Sequence, residues 1–516
     1  MRNCRGRLLH VSLEQTSSVP LYRQLYSEIR TGILHGRIQS GVKLPSTRAL
    51  SVDLGVSRST VVLAYEHLRA EGYLRSKLGA GTQVSKVIPD TLASPPPIQH
   101  SDARISPRRV ARRSSSLKGI PDFAIHGSGT ARAFRGAVPA LDVFPIELWS
   151  RIVNRSLRKL APRQLSYGDP FGYEPLREAI ANYLITARGV RCRADQVMIV
   201  AGAQQGLKLC ASTVLNQGDA AWMEDPGYFG IRAVLEAAEA TVVPVKVDCE
   251  GLDVSYGRAR APDARAAFVT PSRQRPLGVT MSLARRLSLL EWASQSRAWL
   301  IEDDYDSEFR YVSRPLGALQ GLDREGCVIF AGTFSKVMFP ALRLGYVVIP
   351  DSIHDDFDAA RRFSDFHCPQ LEQGAMAEFI REGHFESHIR RMRGIYSARK
   401  DVLVEALKTE LAGRVEVGAA DAGMSLVAWL HPGDDAERLT AIAARAGIDI
   451  MPLSHSVIEH QVTPGVMLGF SGISEMEIRA GVRVLAQALE EYDRSRGQWE
   501  MQPIVEQSGN ADLAMR

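Results

Sequence analysis

Four apolar runs of strand length each end in residues able to do chemistry. Val197 to Val200 leads into Ala201-Gly202-Ala203-Gln204-Gln205 and a helical pattern, which offers free backbone amides and a positive dipole end to a phosphate. Ala220 to Met223 leads into Glu224-Asp225-Pro226-Gly227-Tyr228 and delivers an aromatic ring. Trp299 to Ile301 is followed by Glu302-Asp303-Asp304-Tyr305, and Val328 to Ala331 by Gly332-Thr333-Phe334-Ser335-Lys336, with Arg343 a short way on. A carboxylate, an amine, hydroxyls beside an arginine and an aromatic ring are together what pyridoxal phosphate needs: a partner for its ring nitrogen, a Schiff-base donor, a phosphate clamp and a stacking surface. Lys336 would then form the Schiff base, Asp303 would keep the ring nitrogen protonated, and Tyr305 would hydrogen-bond the phenolic oxygen. One lysine or aspartate at a strand end is ordinarily a solvated cap, so the inference rests on the joint order.

These residues converge only if the runs are strands of one sheet, because ligands of open α/β sheets lie beyond the carboxyl ends of the strands. Ala266 to Val269 and Tyr346 to Ile349 extend the series, and the stretch from Leu283 to Trp292 carries Leu283, Leu287 and Leu290 in helical register. The pattern predicts an α/β class with a buried, mostly parallel sheet. A length of 516 residues with 45% apolar content predicts at least two domains. Cys4, Cys192, Cys210, Cys249, Cys327 and Cys368 form no Cys-x-x-Cys pair, which suggests neither a disulfide framework nor a thiolate metal site. Met1 to Leu13 lacks an apolar stretch of signal-peptide length, and no 18 uncharged apolar residues run together, so a cytoplasmic protein without a membrane partner is expected. The net charge of +5 is modest, and any nucleic-acid role depends on where the charge sits.

From Ser85 to Gly119 periodicity stops, and Pro95, Pro96, Pro97 and Pro107 lie among Ser and Arg residues. This divides the chain into a head at 12–84, a basic linker at 85–121, a body at 122–493 and a polar tail at 494–516 expected to lack structure. Arg104, Arg108, Arg109, Arg112, Arg113 and Lys118 in the linker either touch DNA phosphates or mark a solvated tether. In the head, Leu21, Leu25, Ile29 and Ile33 share one face of a helix entered at Pro20, with Arg23 and Arg30 outward. A second helix is predicted over Ser46 to Leu54, stopped by Gly55, and a third over Arg58 to Glu71, capped by Ser57. Two short helices about a glycine-containing turn form a helix-turn-helix. The third helix would turn Val61, Ala64, Tyr65 and Leu68 inward and present Arg58, Ser59, Thr60 and His67 to phosphates and base edges. Tyr73-Leu74-Arg75 and Thr82-Gln83-Val84 read as a hairpin wing joined through Lys77, Gly79 and Gly81. Such a unit can also serve protein contacts alone, which the basic exposed set argues against.

The head resembles the GntR superfamily through Pro20-Leu21-Tyr22, Leu44-Pro45-Ser46-Thr47-Arg48, Val56-Ser57-Arg58-Ser59-Thr60-Val61 and Glu71-Gly72-Tyr73-Leu74. That resemblance implies operator contacts from Arg48, Arg58 and the Gly81 wing. The body resembles the fold-type I aminotransferases through Ser166-Tyr167-Gly168-Asp169-Pro170, Glu224 to Tyr228, Thr270-Pro271-Ser272, Glu302 to Phe309 and Gly332 to Lys336 with Arg343-Leu344-Gly345-Tyr346. Joined, residues 12 to about 490 resemble the MocR/GabR-like regulators. The resemblance implies a smaller C-terminal α+β subdomain from about 350, a phosphate held by Ala203, Gln204, Thr333, Ser335 and Arg343, and Tyr228 stacked near the ring. It carries Tyr167 over as a phosphate contact from the partner subunit, hence a homodimer, head-to-tail in that family.

Two departures bear on function. Where aminotransferases place an arginine that pairs bidentately with the substrate carboxylate, this chain has Met467 in Met467-Leu468-Gly469-Phe470. Where they carry Asn before a Pro-Thr-Gly turn, it has Arg275 in Arg273-Gln274-Arg275-Pro276-Leu277-Gly278. Arg273 and Arg275 either bind an acidic effector or are surface residues on a turn. Three functions stay open: a regulator in which an amine or amino-acid effector displaces Lys336 from the cofactor and alters operator binding, one that senses pyridoxal phosphate itself, and a working transaminase carrying a DNA-binding head. Met467 argues against the last.

Overall fold

The computed structural model describes residues 13–14, 17–77, 81–86, 110–118, 120, 132–136, 138–159, 165–312 and 317–500. It divides into two compact units, Met1–Arg108 and Arg109–Arg516.

In the first unit, helices α1 (Leu21–Leu34), α2 (Thr47–Leu54) and α3 (Arg58–Ala70) are followed by strands β1 (Leu74–Lys77) and β2 (Gly81–Val84). Ser57 Oγ accepts from the Thr60 amide at 3.1 Å and caps α3 as predicted, while Ser46, expected as the first residue of the second helix, instead caps α2 by accepting from the Ala49 amide at 3.2 Å. Gly55 closes α2 at φ 64°, a left-handed conformation that favours glycine. Leu25, Ile29, Ile33, Val61, Ala64, Tyr65 and Leu68 are buried together, as their spacing predicts. One outward assignment is corrected. Arg30 donates from Nε to the Tyr73 hydroxyl at 2.9 Å with its guanidinium carbon 5.4 Å from that ring. His67 is exposed, as its spacing predicts, with its ring 5.8 Å from Tyr22 and 6.2 Å from Tyr26 on α1.

In the second unit, a short helix α4 (Arg112–Lys118) lies within the predicted linker, and Arg113 approaches Glu239 at 3.7 Å. The linker expectation is corrected there, and its residues 87–109 lie outside the described residues. Helices α5 (Ile146–Arg158) and α6 (Glu174–Arg188) lead into an eight-stranded sheet. Its strands are β3 (Val197–Val200), β4 (Ala220–Asp225), β5 (Thr241–Asp248), β6 (Gly251–Leu252), β7 (Ala266–Val269), β8 (Trp299–Asp304), β9 (Val328–Thr333) and β10 (Gly345–Val348), in the spatial order 3-10-9-8-7-4-5-6. Neighbours from β9 to β5 are parallel, while β10 runs antiparallel to both β3 and β9. Helices α7 (Ala203–Val214), α8 (Phe229–Ala237), α9 (Val254–Arg260) and α10 (Leu283–Ser296) cover it. Alternate residues enter opposite layers: Ala221, Met223, Phe268 and Ile301 join one core, Trp222, Ala267, Val269 and Leu300 the other. Burial on both faces explains why the runs are continuously apolar. The sequence reading passed over β5, whose Pro244 and Lys246 interrupt the apolar pattern; beyond it stands only the two-residue β6, so the strand tolerates a missing amide.

Helices α11 (His354–Arg362), α12 (Gln370–Arg381) and α13 (His384–Glu410) lead to a four-stranded antiparallel sheet of β11 (Glu416–Val417), β12 (Ser425–Trp429), β13 (Met451–Pro452) and β14 (Gly465–Gly469), with α14 (Ala436–Arg445) between β12 and β13. This is the smaller α+β subdomain. The last helix, α15 (Glu475–Glu500), runs past the predicted body end at 493, and the remainder of the expected tail, 501–516, lies outside the described residues.

Candidate cofactor site and DNA-binding head

The site begins with strand alternation in β8. Its last three residues are acids inside the strand, rather than beyond it as the sequence reading placed them. Glu302 and Asp304 face one layer. Glu302 is fully buried and accepts from the amides of Leu319 and Gln320 at 2.9 Å each, and Asp304 pairs with Arg188 at 2.8 Å. Asp303 faces the other layer, is 4% exposed, and its Oδ1 has no hydrogen-bond partner. Burial, then the neighbouring Asp304 charge, push its carboxyl up to about 7. A buried carboxylate oxygen without a donor is costly unless a ligand supplies one, and the protonated ring nitrogen of pyridoxal phosphate is such a donor.

Lys336 sits in the turn after β9. Burial, then the Arg275 cation, lower its amine to about 8, against the opposing pull of Asp306 and Asp303. His388 on α13 bonds the Val337 carbonyl through Nε2 at 2.9 Å and so steadies this turn. Tyr305 is 8% exposed; its hydroxyl accepts from Arg273 Nη1 at 3.0 Å, and burial raises it well above the usual phenol range.

Of the residues expected to hold a phosphate, Ala203, Gln204 and Arg343 lie around the start of α7. Gly202 caps that helix at φ 96°, Ala203 and Gln204 form its first turn, and a Cβ on Gly202 would lie 3.5 Å from Arg343 Nη1. Thr333 ends β9 and accepts from the Ser335 amide at 3.2 Å. Helix-start amides, the Thr333 and Ser335 hydroxyls and the Arg343 guanidinium are the groups an anion cradle would need. Tyr228 caps α8, and its hydroxyl donates to Gln204 Oε1 at 3.4 Å, tying that ring to the first turn of α7. Tyr167 stands apart: 85% exposed, it packs on Phe366 at 5.6 Å and His367 at 6.4 Å.

Arg273 is neither an open effector contact nor a surface residue. It is 5% exposed, donating to Tyr305, to Asp306 at 3.2 Å and to the Ser425 carbonyl at 2.6 Å, which makes it a strut between the large sheet and β12. Arg275 is half-buried, its guanidinium carbon 5.1 Å from the Tyr228 ring. The sequence reading missed the supports. Glu224 accepts from the Thr270 amide and hydroxyl at 3.1 and 2.5 Å, fixing the loop that carries both arginines, while Asp225 accepts from the amides of Ile458, Glu459 and His460.

On the head, Arg48, Ser57, Arg58 and Ser59 are exposed and Thr60 half-buried. Ser57 Oγ lies 2.8 Å from both Ser59 Oγ and Thr60 Oγ1, a hydroxyl cluster at the start of α3. Gly81 adopts φ 86°, and a Cβ there would meet Lys43 Cε at 2.7 Å, so Lys43 adds a cation at the wing that the sequence reading missed. Lys77 ends β1, and its side chain lies outside the described residues.

Residues 149–483 match the family described as aminotransferase class I and II, and residues 21–84 the gntR family of bacterial regulatory proteins. The chain is 38% identical to the probable rhizopine catabolism regulatory protein MocR of Rhizobium meliloti, covering 92% of this chain and 95% of that one. It is 29% identical to the pyridoxine biosynthesis transcriptional regulator PdxR of Corynebacterium glutamicum, covering 91% and 96%. Its fold matches the crystal structure of Pyrococcus horikoshii kynurenine aminotransferase in complex with PMP, with a TM-score of 0.65 and 28% identity over 74% of this chain and 95% of that one. The site residues fit pyridoxal phosphate, and the chain belongs to the MocR-like subfamily of the GntR regulators, in which a winged helix-turn-helix is joined to a pyridoxal-phosphate-dependent aminotransferase-type domain.

Proposed function

We propose that this protein is a transcription regulator in which a small amine or amino acid, acting at Lys336, changes the affinity of the head for double-stranded operator DNA. The observation that carries the reading is the presence, in one chain, of an exposed Arg58–Ser59 helix face and a body that buries Lys336 and the partnerless Asp303 oxygen in one site. When bound, pyridoxal phosphate would supply an electrophilic carbonyl carbon, and Lys336 is the residue that would hold it there. The rest is the work of the chain. An amine lowered to about 8 has an appreciable unprotonated fraction near neutral pH. Asp303 would hold a proton on the ring nitrogen, Tyr305 is aimed by Arg273, and the α7 amides with Ser335 and Arg343 would hold the phosphate. On the head, Arg48, Ser57, Arg58, Ser59 and Thr60 meet bases and phosphates while Lys43, Lys77 and the Gly81 wing position the duplex. The exposed Tyr167 and a 91% exposed Phe363 support a homodimer, read as head-to-tail by family resemblance, in which Tyr167 completes the partner's phosphate site. No described helix is long and apolar enough to cross a membrane.

A second reading makes pyridoxal phosphate itself the effector, favoured by the buried apolar Met467 in the anchor position and by likeness to PdxR. The two separate by titrating cofactor into apo-protein on the DNA upstream of its own gene. If cofactor alone moves DNA affinity and no amine does, the second reading holds; if amines move it further, the first does. Sustained keto-acid production from an amino-acid panel would instead mark a working transaminase.

A further inference from the structure

We infer that Arg275 is the anion-binding residue of the effector pocket, so that the effector is a primary amine carrying a second, anionic group such as a carboxylate, sulfonate or phosphonate. This rests on the amine-sensing reading above and names its ligand class. Met467 is 3% exposed, pairs in register with Val427 and Met451, and would lie 3.2 Å through Cε from a Cβ on Gly136; it leaves the small-subdomain side of the site without a cation at that position. Arg273 is committed to Tyr305, Asp306 and Ser425.

Arg275 is arranged differently. Among the described residues its guanidinium has no hydrogen-bond or ion-pair partner, and its buried Nε lacks an acceptor. Its position is nevertheless fixed. The Gln274 side chain donates to its carbonyl at 2.7 Å, Thr270 Oγ1 accepts from its amide at 3.4 Å, and its guanidinium carbon lies 5.1 and 5.9 Å from the rings of Tyr228 and Phe229. The neighbouring acids are engaged elsewhere, Glu224 with Thr270, Asp304 with Arg188 and Asp306 with Arg273, while Asp303 is the residue that would meet the cofactor's ring nitrogen. Its charge is felt by Lys336, Asp303 and Tyr305 alike, so it lies within electrostatic reach of all three. A planar fork with an open donor, held on two aromatic faces, is suited to take a carboxylate or its isosteres.

The test uses cofactor-loaded full-length protein and the absorption band of the bound cofactor, titrated with 3-aminopropanoate, 4-aminobutanoate, 2-aminoethylphosphonate and uncharged 1-aminopropane. For the wild type we expect at least one anionic amine to perturb the band at a half-saturation about ten-fold or more below that of 1-aminopropane, as one charge-assisted contact provides. Arg275→Gln should abolish that preference while leaving 1-aminopropane within about two-fold, and Arg275→Lys should restore part of it. Equal response of the wild type to charged and uncharged amines would overturn the proposal. So would an equal loss for 1-aminopropane in Arg275→Gln, or loss of the cofactor from both variants, because Arg275 would then serve the cofactor rather than the effector. Borohydride reduction and peptide mapping of the wild type separate the two levels: an unlabelled Lys336 sinks the sensing reading together with this one, whereas a labelled Lys336 without anion preference sinks this one alone.

Discussion

Replacing Asp303 by asparagine should stabilise the cofactor-free protein and weaken its hold on the cofactor, two effects of opposite sign from one oxygen. The carboxyl is 4% exposed and its Oδ1 lacks a partner. Its value stands at about 7 against an ordinary 3.8. At 1.36 kcal/mol per pH unit, that interval corresponds to roughly 4 kcal/mol of ionisation cost above pH 7. An asparagine amide left in the same place costs about 1–3 kcal/mol, so the net gain is on the order of 1–3 kcal/mol. Because the folded value is raised, this carboxyl's contribution to stability is fully present below pH 3.8 and is lost as pH rises through about 7. The advantage of Asp303→Asn should therefore be larger at pH 8 than at pH 5.5. With cofactor added the sign reverses. Loss of a charge-assisted hydrogen bond, about 1.5–3 kcal/mol, weakens the dissociation constant roughly 10- to 100-fold. Thermal unfolding of apo-protein at both pH values and a fluorescence titration with cofactor measure the two halves. A variant that is less stable than wild type at pH 8, or that binds cofactor as tightly, would refute the reasoning.

Asp304→Ala should cost about 3–5 kcal/mol, because Arg188, 3% exposed, would be left charged and buried, and Arg188→Met in the same chain should recover much of it; a denaturant midpoint unchanged by the single variant contradicts this. Ser57→Ala removes the cap of α3 and should cost the head about 1 kcal/mol in the same measurement. Gly81→Ala should distort the wing, since φ is 86° and Lys43 fills the space, and should lower affinity for all duplexes alike in a fluorescence-anisotropy titration, whereas Arg58→Ala should relax preference at particular bases if it reads them.

Much of this architecture was legible because the signals were local. Ser46, Ser57 and Gly55 state the ends of the turn helices by their own hydrogen-bonding and backbone preferences. The apolar runs declare a sheet buried on both faces, and the residues after them converge because parallel strands end on one rim. What could not be read was which partner each charge meets across long separations. Arg273 and Arg275 are two residues apart and alike in sequence, yet one is a strut to Ser425 and the other rests on Tyr228, a distinction created by the small subdomain more than a hundred residues on. Likewise Arg30 looks outward on a helical wheel and is held by Tyr73. Pro244 hid a strand because its cost depends on having only β6 beyond it.

The most direct test joins the two units of the chain in one measurement: the affinity of cofactor-loaded protein for the DNA upstream of its own gene, with and without a panel of amines, for the wild type and Lys336→Ala. At least one amine should change the wild-type affinity severalfold and none that of Lys336→Ala, while both proteins retain a folded head. An amine response of equal size in the two proteins, or no response to any amine in the wild type, would contradict it.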